Sequence, residues 1–156
     1  RMGFAVGNET LIGALEKIKS YLDYGAFTPI QVAAASALSS DPSTIAKVRE
    51  VYKKRRNVLV DAMSKAGWEI PSPDATMFAW APIPEKFKSL GSLEFSKVLL
   101  KEADISVAPG IGFGEYGENF VRIGLVENEH RIRQAARNIK AVFTKADKIL
   151  SDHSPN

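Results

Sequence analysis

Hydrophobic positions along this chain change period at about its midpoint. From residue 8 to residue 67 they recur every three to four residues, the signature of helices packed by one face. Asn8 can cap a helix with Leu11, Ile12, Leu15, Ile18 and Leu22 on one stripe, closed by Gly25. Ala26-Phe27-Thr28 reads as an extended link, because a residue before proline avoids helical angles. Pro29 then opens an Ala-rich helix running to Leu38. Asp41-Pro42 caps and starts a long helix bearing Ile45, Val48, Tyr52, Leu59, Met63 and Ala66, with Gly67 as its stop.

Beyond Gly67 short runs of period two appear. Trp68-Glu69-Ile70, Thr76 to Ala81, Ile105-Ser106-Val107-Ala108 and Asn119 to Leu125 read as strands, as does the opening Met2 to Gly7. Between them, Pro82, Pro84 and Gly91 bracket a loop, and Ser92 is placed to cap a helix with Phe95, Val98 and Leu99 inward. A last helix from about Asn128 sets Ile132, Ala136, Ile139, Phe143, Ala146 and Leu150 on one stripe, leaving 151–156 as a tail. The expected class is α+β: a short mixed or antiparallel sheet covered by helices, with a helical lead-in.

Composition narrows the function classes. The chain has 156 residues, enough for one domain with a real core. A hydrophobic share of 45%, a charged share of 25% and a net charge of +3 are ordinary for a globular protein. No apolar run is long enough to span a membrane, so no membrane partner is expected. There are no cysteines and two histidines, which removes thiolate chemistry, makes a zinc site an unexpected feature, and fits a cytoplasmic setting. Lys53-Lys54-Arg55-Arg56 spans more than one helical turn with no aromatic reader nearby; we read it as a solvated face, with no nucleic-acid partner. Trp68 and Trp80 sit on strand-like runs where core packing is expected. Serine and threonine lack a neighbouring histidine base, and Asp104, Glu115 and Glu118 are too scattered for a carboxylate pair.

Arg122 is the residue that stands out. In a strand, Val121, Ile123 and Leu125 face one side, and Phe120, Arg122 and Gly124 the other. A charged fork losing water needs a carboxylate or phosphate. The Gly-rich stretch Pro109 to Gly117 before it allows close backbone approach to a ligand. Its Gly110-Ile111-Gly112-Phe113-Gly114 core is not a dinucleotide fingerprint, because a strand follows it instead of a helix. Two readings stand at this point: an arginine paired within the protein or turned to solvent, or an anion holder. By elimination Arg122 and Arg1 are the anion-holding candidates.

Four stretches in order carry a family resemblance: Arg1 to Gly7, Tyr24 to Gln31, Ala75 to Ala81, and Val107 to Gly114 followed by Val121-Arg122-Ile123. Over nearly its whole length the chain resembles the C-terminal part of a class I/II, fold-type I, pyridoxal-phosphate (PLP) aminotransferase. Within that family it is similar to the bacterial alanine (glutamate–pyruvate) branch. The resemblance implies an amino-group transfer between an L-amino acid, alanine in this branch, and a 2-oxo acid such as 2-oxoglutarate or pyruvate, in a cytoplasmic homodimer. Arg122 then grips the substrate α-carboxylate. Arg1 holds the cofactor phosphate, and Thr28, in the stretch from Tyr24 near the dimer interface, approaches the neighbouring subunit's cofactor. Residues 1–40 would end the large domain and its interface segment, 41–150 would form the small C-terminal domain, and 151–156 the tail. No catalytic residue is expected here, because the Schiff-base lysine lies upstream in the family's order, and the chain alone is expected to be inactive. Arg1 opening directly on an apolar run also suggests a piece of a longer polypeptide. The alternatives are a related aminotransferase for aspartate, an aromatic amino acid or diaminopimelate, or a non-catalytic α+β interaction module.

Overall fold

The computed structural model describes residues 2–152, the side chain of Asp152 apart. The chain divides into two compact units, Arg1–Ile45 and Ala46–Asn156.

In the first unit, Met2 to Gly7 forms no strand. No ladder partner for it occurs among the described residues, and an apolar run without one has nowhere to place its backbone hydrogen bonds. Helix α1 (Glu9–Leu22) begins as its sequence requires, with the Asn8 carboxamide accepting from the Thr10 and Leu11 amides at 3.0 and 3.3 Å. Helix α2 (Thr28–Leu38) starts at Thr28, one residue earlier than expected. Proline is tolerated in a first turn because the amide it lacks has no partner there, so the pre-proline bias shifts the boundary without blocking it. Asp41 accepts from the Ser43 amide and hydroxyl at 3.0 and 2.6 Å, and these bonds hold its carboxyl below the ordinary aspartate range.

Helix α3 (Ser43–Lys65) leads into the second unit and buries Leu59 and Met63; Ile45 and Val48 near its start stay exposed. It ends in a left-handed turn. Gly67 has φ +89°, its amide donates to the Ser64 carbonyl at 2.9 Å, and the Trp68 amide reaches back to Met63 at 2.9 Å. That turn feeds Trp68 into the core, 1% exposed, with its indole N–H on the Pro82 carbonyl at 2.7 Å and its ring edge-on to Phe95 and Phe143. Trp68-Glu69-Ile70 is therefore core-filling coil and not a strand: its apolar side chains go inward while its backbone pairs with no strand.

Three strands form an antiparallel sheet in the order β1 (Phe78–Pro82), β3 (Phe120–Gly124), β2 (Ala108–Pro109). β1 begins two residues later than the sequence suggests. Thr76 has φ +72° and accepts the Phe78 amide on its hydroxyl at 3.1 Å, a turn that no strand residue can share. β2 keeps only the end of its expected run, since Ile105 to Val107 lacks ladder pairing.

Helix α4 (Gly91–Ala103) packs against α5 (Glu129–Thr144) over the inward face of the sheet, where Ala79, Ala81, Val121, Phe95, Val98 and Leu99 are fully buried. The Asn138 carboxamide of α5 donates to the Ala103 carbonyl at 3.0 Å, joining the two helices. Asn128 caps α5 through the His130 and Arg131 amides. The single final helix read from the stripe is two, because α6 (Ala146–Asp152) starts afresh after Lys145. Its Ala146 and Ile149 still reach the core, and it takes in Ser151 and Asp152; 153–156 of the expected tail lie outside the described residues.

The basic run is not a wholly solvated face. Arg55 donates to the Leu125 and Val126 carbonyls at 3.0 and 2.9 Å, tying α3 to the end of β3, and Arg56 reaches the Pro73 carbonyl at 3.3 Å. Helical spacing turns these two arginines toward the body of the unit while Lys53 and Lys54 stay exposed.

The two left-handed helix ends yield a paired prediction. Gly67→Ala should cost about 1 kcal/mol, since alanine disfavours its φ. Asp104→Gly, at φ +57° after α4, should add about 0.5–1 kcal/mol. Urea unfolding followed by circular dichroism reads both, and shifts of the same sign would refute the assignment.

Candidate functional site

Arg122 sits at the middle of the central strand, with Trp80 on one side and Ala108 on the other as its register partners. Strand alternation sends Val121 into the core and Arg122 to the opposite face, together with Phe78, Trp80 and Phe120. There the guanidinium carbon lies 4.2 Å from the Phe78 ring centre and 4.4 Å from that of Phe113. One ring comes from the strand on one flank of β3, the other from the turn following the strand on the other flank. Each contact falls within the range where ring quadrupoles attract a cation, at about 0.5–2 kcal/mol apiece.

Trp80 completes an aromatic row. It stacks on Phe120 at 5.5 Å and stands edge-on to Phe113 at 5.7 Å. This overturns the expectation that Trp80 is a core residue: it is 38% exposed on the arginine's face, whereas Trp68 is the buried one. The alternating pattern already allowed this, since Ala79 and Ala81 are the inward residues of that strand.

Among the described residues no carboxylate, carbonyl or hydroxyl forms an ion pair or hydrogen bond with Arg122. Among the described residues, then, no protein group pairs with this arginine. Nor is the side chain simply turned to water, because it is half-buried against two rings. Ring contacts fix the faces of the fork and leave its N–H edge to an incoming planar anion, the arrangement a two-pronged bond needs.

The Gly-rich stretch works differently from the expectation of close approach to a ligand. It forms two 3-10 turns, Gly110–Phe113 and Glu115–Gly117, whose backbones press on each other. A side-chain carbon on Gly110 would lie 1.9 Å from the Gly117 carbonyl oxygen and 2.4 Å from that of Phe120; one on Gly117 would lie 2.1 Å from Gly110 O. These glycines make a tight turn that carries Phe113 to the arginine. Phe78 and Phe113 are the site residues that sequence reading missed. The signal for Phe78 was its place two residues before Trp80 on one strand; for Phe113 it was an aromatic ring inside a glycine turn.

A cavity of about 570 Å3 lies elsewhere in the same unit, walled by Leu59, Met63, Ile123, Leu125, Ile132 and Ile139. Arg122 does not line it, and its polar groups are partly committed: Arg131 to Gln134, and Asn138 to Ala103. The half-buried guanidinium without a described partner lies on the other face of the sheet from the core. Of the other expected site residues, Thr28 is exposed at the start of α2 in the first unit, and Arg1 lies outside the described residues.

Comparison with known proteins identifies the family. Residues 1–139 match the family model for aminotransferase class I and II. The chain is 68% identical over 150 residues to AatC of Rhizobium meliloti (strain 1021), covering 96% of this chain and 37% of that protein. It is 55% identical over 150 residues to the glutamate-pyruvate aminotransferase AlaC of Escherichia coli (strain K12), covering 96% of this chain and 36% of that protein. Among solved structures, the aromatic aminotransferase from Pyrococcus horikoshii OT3 superposes with a TM-score of 0.80 at 28% identity, covering 91% of this chain and 38% of the other. The chain thus spans little more than a third of the length of the relatives it matches.

The back-to-back glycines set a test. Gly110→Ala should destabilise the chain by more than about 2 kcal/mol, because backbone must move to admit the methyl group. Gly112→Ala, with nothing within 4 Å of the added carbon, should stay within about 0.5 kcal/mol of the parent. Equal unfolding midpoints for the two variants would refute the packing described.

Proposed function

Given that the chain belongs to the aminotransferase class I and II family, we propose that it supplies the substrate-carboxylate site of an enzyme moving an amino group between an L-amino acid and a 2-oxo acid. One observation carries this reading: an arginine fork seated against two aromatic rings with no acceptor of its own among the described residues. Amino acid and 2-oxo acid share an α-carboxylate, so one fork serves both half-reactions. Bound there through two parallel N–H···O bonds, the carboxylate fixes the rotation of the substrate about its α-carbon. The rings on the guanidinium keep it from swinging toward water and lower the reorganisation needed when substrate arrives.

PLP is the cofactor of this proposal, and when bound it serves as the sink for the electron pair freed at the substrate's α-carbon. The described residues fit part of it. Thr28 stands exposed at the first position of α2 and offers its hydroxyl as a donor. We assign Arg1 to the cofactor phosphate and Thr28 to the approach toward the neighbouring subunit's cofactor; the Schiff-base lysine belongs to a part of the enzyme upstream of this sequence. Alanine, with 2-oxoglutarate or pyruvate as the oxo acid, is our choice of substrate, supported by the 55% identity to AlaC.

The same proposal takes residues 1–40 as the end of a large domain and 41–150 as a small one. It makes the enzyme a homodimer, for which the exposed apolar residues Leu11, Ile18, Leu22, Phe27 and Leu38 of the first unit offer surface. A cytoplasmic setting suits a chain without cysteine, and no described helix is long and apolar enough to cross a membrane.

In the full-length enzyme, Arg122→Ala should raise KM for alanine and for the oxo acid by roughly 100-fold and slow turnover, while PLP affinity stays within about twofold. Steady-state kinetics and cofactor titration measure this; an unchanged KM removes Arg122 from the site. A panel of alanine, aspartate, phenylalanine and diaminopimelate decides the substrate.

A further inference from the structure

We infer that Ser92 and Glu118 are positioning residues for the Arg122 site, acting through the turn that carries Phe113; this rests on the carboxylate-site reading above. Ser92 was expected to cap α4 with its own hydroxyl, but it lies inside that helix, fully buried. The cap is Glu118, brought in from 26 residues away. One carboxylate oxygen accepts the Ser92 amide at 3.0 Å and the other accepts the Ser92 hydroxyl proton at 2.9 Å. A negative group at this helix end meets amides that have no partner within the helix. A lone pair of the same hydroxyl accepts the Ile111 amide proton at 3.1 Å. Ile111 is the second residue of the Gly110–Phe113 turn, where a 3-10 helix also leaves its first amides without an internal acceptor.

One buried hydroxyl therefore ties three elements together: the first turn of α4, the carboxylate after the second 3-10 turn, and the turn bearing Phe113. Its polarity has only one satisfying arrangement. The carboxylate can only accept and the amide can only donate, so the hydroxyl must donate to one and accept from the other. Gly91 reserves the space: at φ +70° it has no side-chain carbon, and an added one would lie 2.3 Å from the Glu118 oxygen. With Gly110 and Gly117 locked back to back, the start of the turn is held at two adjacent residues, Gly110 and Ile111, and Phe113, two residues on, is carried over the arginine. Ser92 and Glu118 touch neither substrate nor cofactor. They set how long the guanidinium is kept in its binding pose.

The experiment is a double-mutant cycle in the full-length enzyme, with Ser92→Ala and Phe113→Leu made singly and together. Ser92→Ala should raise KM for both amino acid and oxo acid about tenfold, with kcat within about threefold and PLP affinity unchanged. In the Phe113→Leu background the same change should move KM less than about twofold, because the ring through which it acts is gone. Glu118→Gln, which keeps an acceptor for the Ser92 amide, should have a smaller effect than Glu118→Ala and stands in if Ser92→Ala does not fold. Equal KM factors in both backgrounds, or a lowered Tm with KM at the parent value, would overturn the inference. If Arg122→Ala raises KM and Ser92→Ala does not, the inference alone falls. If Arg122→Ala leaves KM unchanged, the carboxylate reading falls and takes this inference with it.

Discussion

Antiparallel pairing of β3 with strands on both sides is the constraint from which the rest of the second unit follows. Side chains in a strand alternate with a period of two, so a register that buries Val121 between Ala81 and Pro109 must also lift Arg122 to the other face beside Trp80. A slip of one residue would put a guanidinium among Phe95, Leu99 and Trp68, where an unpaired charge is far too costly. Core and site are thus two faces of one register. Ala79 and Ala81 let the helices close on one face, and Phe78 and Trp80 supply rings to the other.

The helices act as a frame for that sheet. The left-handed turn at Gly67 delivers Trp68 to the core, and the Trp68 indole holds the last residue of β1. From the other flank, Arg55 secures the carbonyls just beyond β3. On the third side the turn after β2 hangs on the buried Ser92 hydroxyl and the Glu118 carboxylate. Each strand of the small sheet is fixed by a polar contact from a distant element, which suits a three-stranded sheet too small to be rigid alone. Rigidity matters because a fork that wanders loses the geometric advantage of a two-pronged bond.

Much of this was legible in the sequence. Asn8 as a cap, a helix start at about Asn128, Gly67 as a stop, the burial of Val121 and Leu125, and Arg122 on the opposite face all follow from local rules with nearby partners. The misreadings share one cause. Trp68 to Ile70 and Ile105 to Val107 have strand-like side chains, yet a strand exists only where another backbone is available, and that depends on distant chain. Lys53 to Arg56 looked like a solvated run because the carbonyls that Arg55 reaches are 70 residues away.

The sequence by itself determined the elements with local causes, the side of the strand on which the arginine lies, and the family. Periodicity, capping and ordered motifs act over a few residues and need no fold to be read. Only the tertiary structure decided that Arg122 lies over Phe78 and Phe113, that no described carboxylate neutralises it, and that Ser92 serves a turn instead of its own helix. Those facts concern which groups meet at separations longer than a local pattern reaches. Burial energy and hydrogen-bond satisfaction settle them, and both are properties of the packed chain.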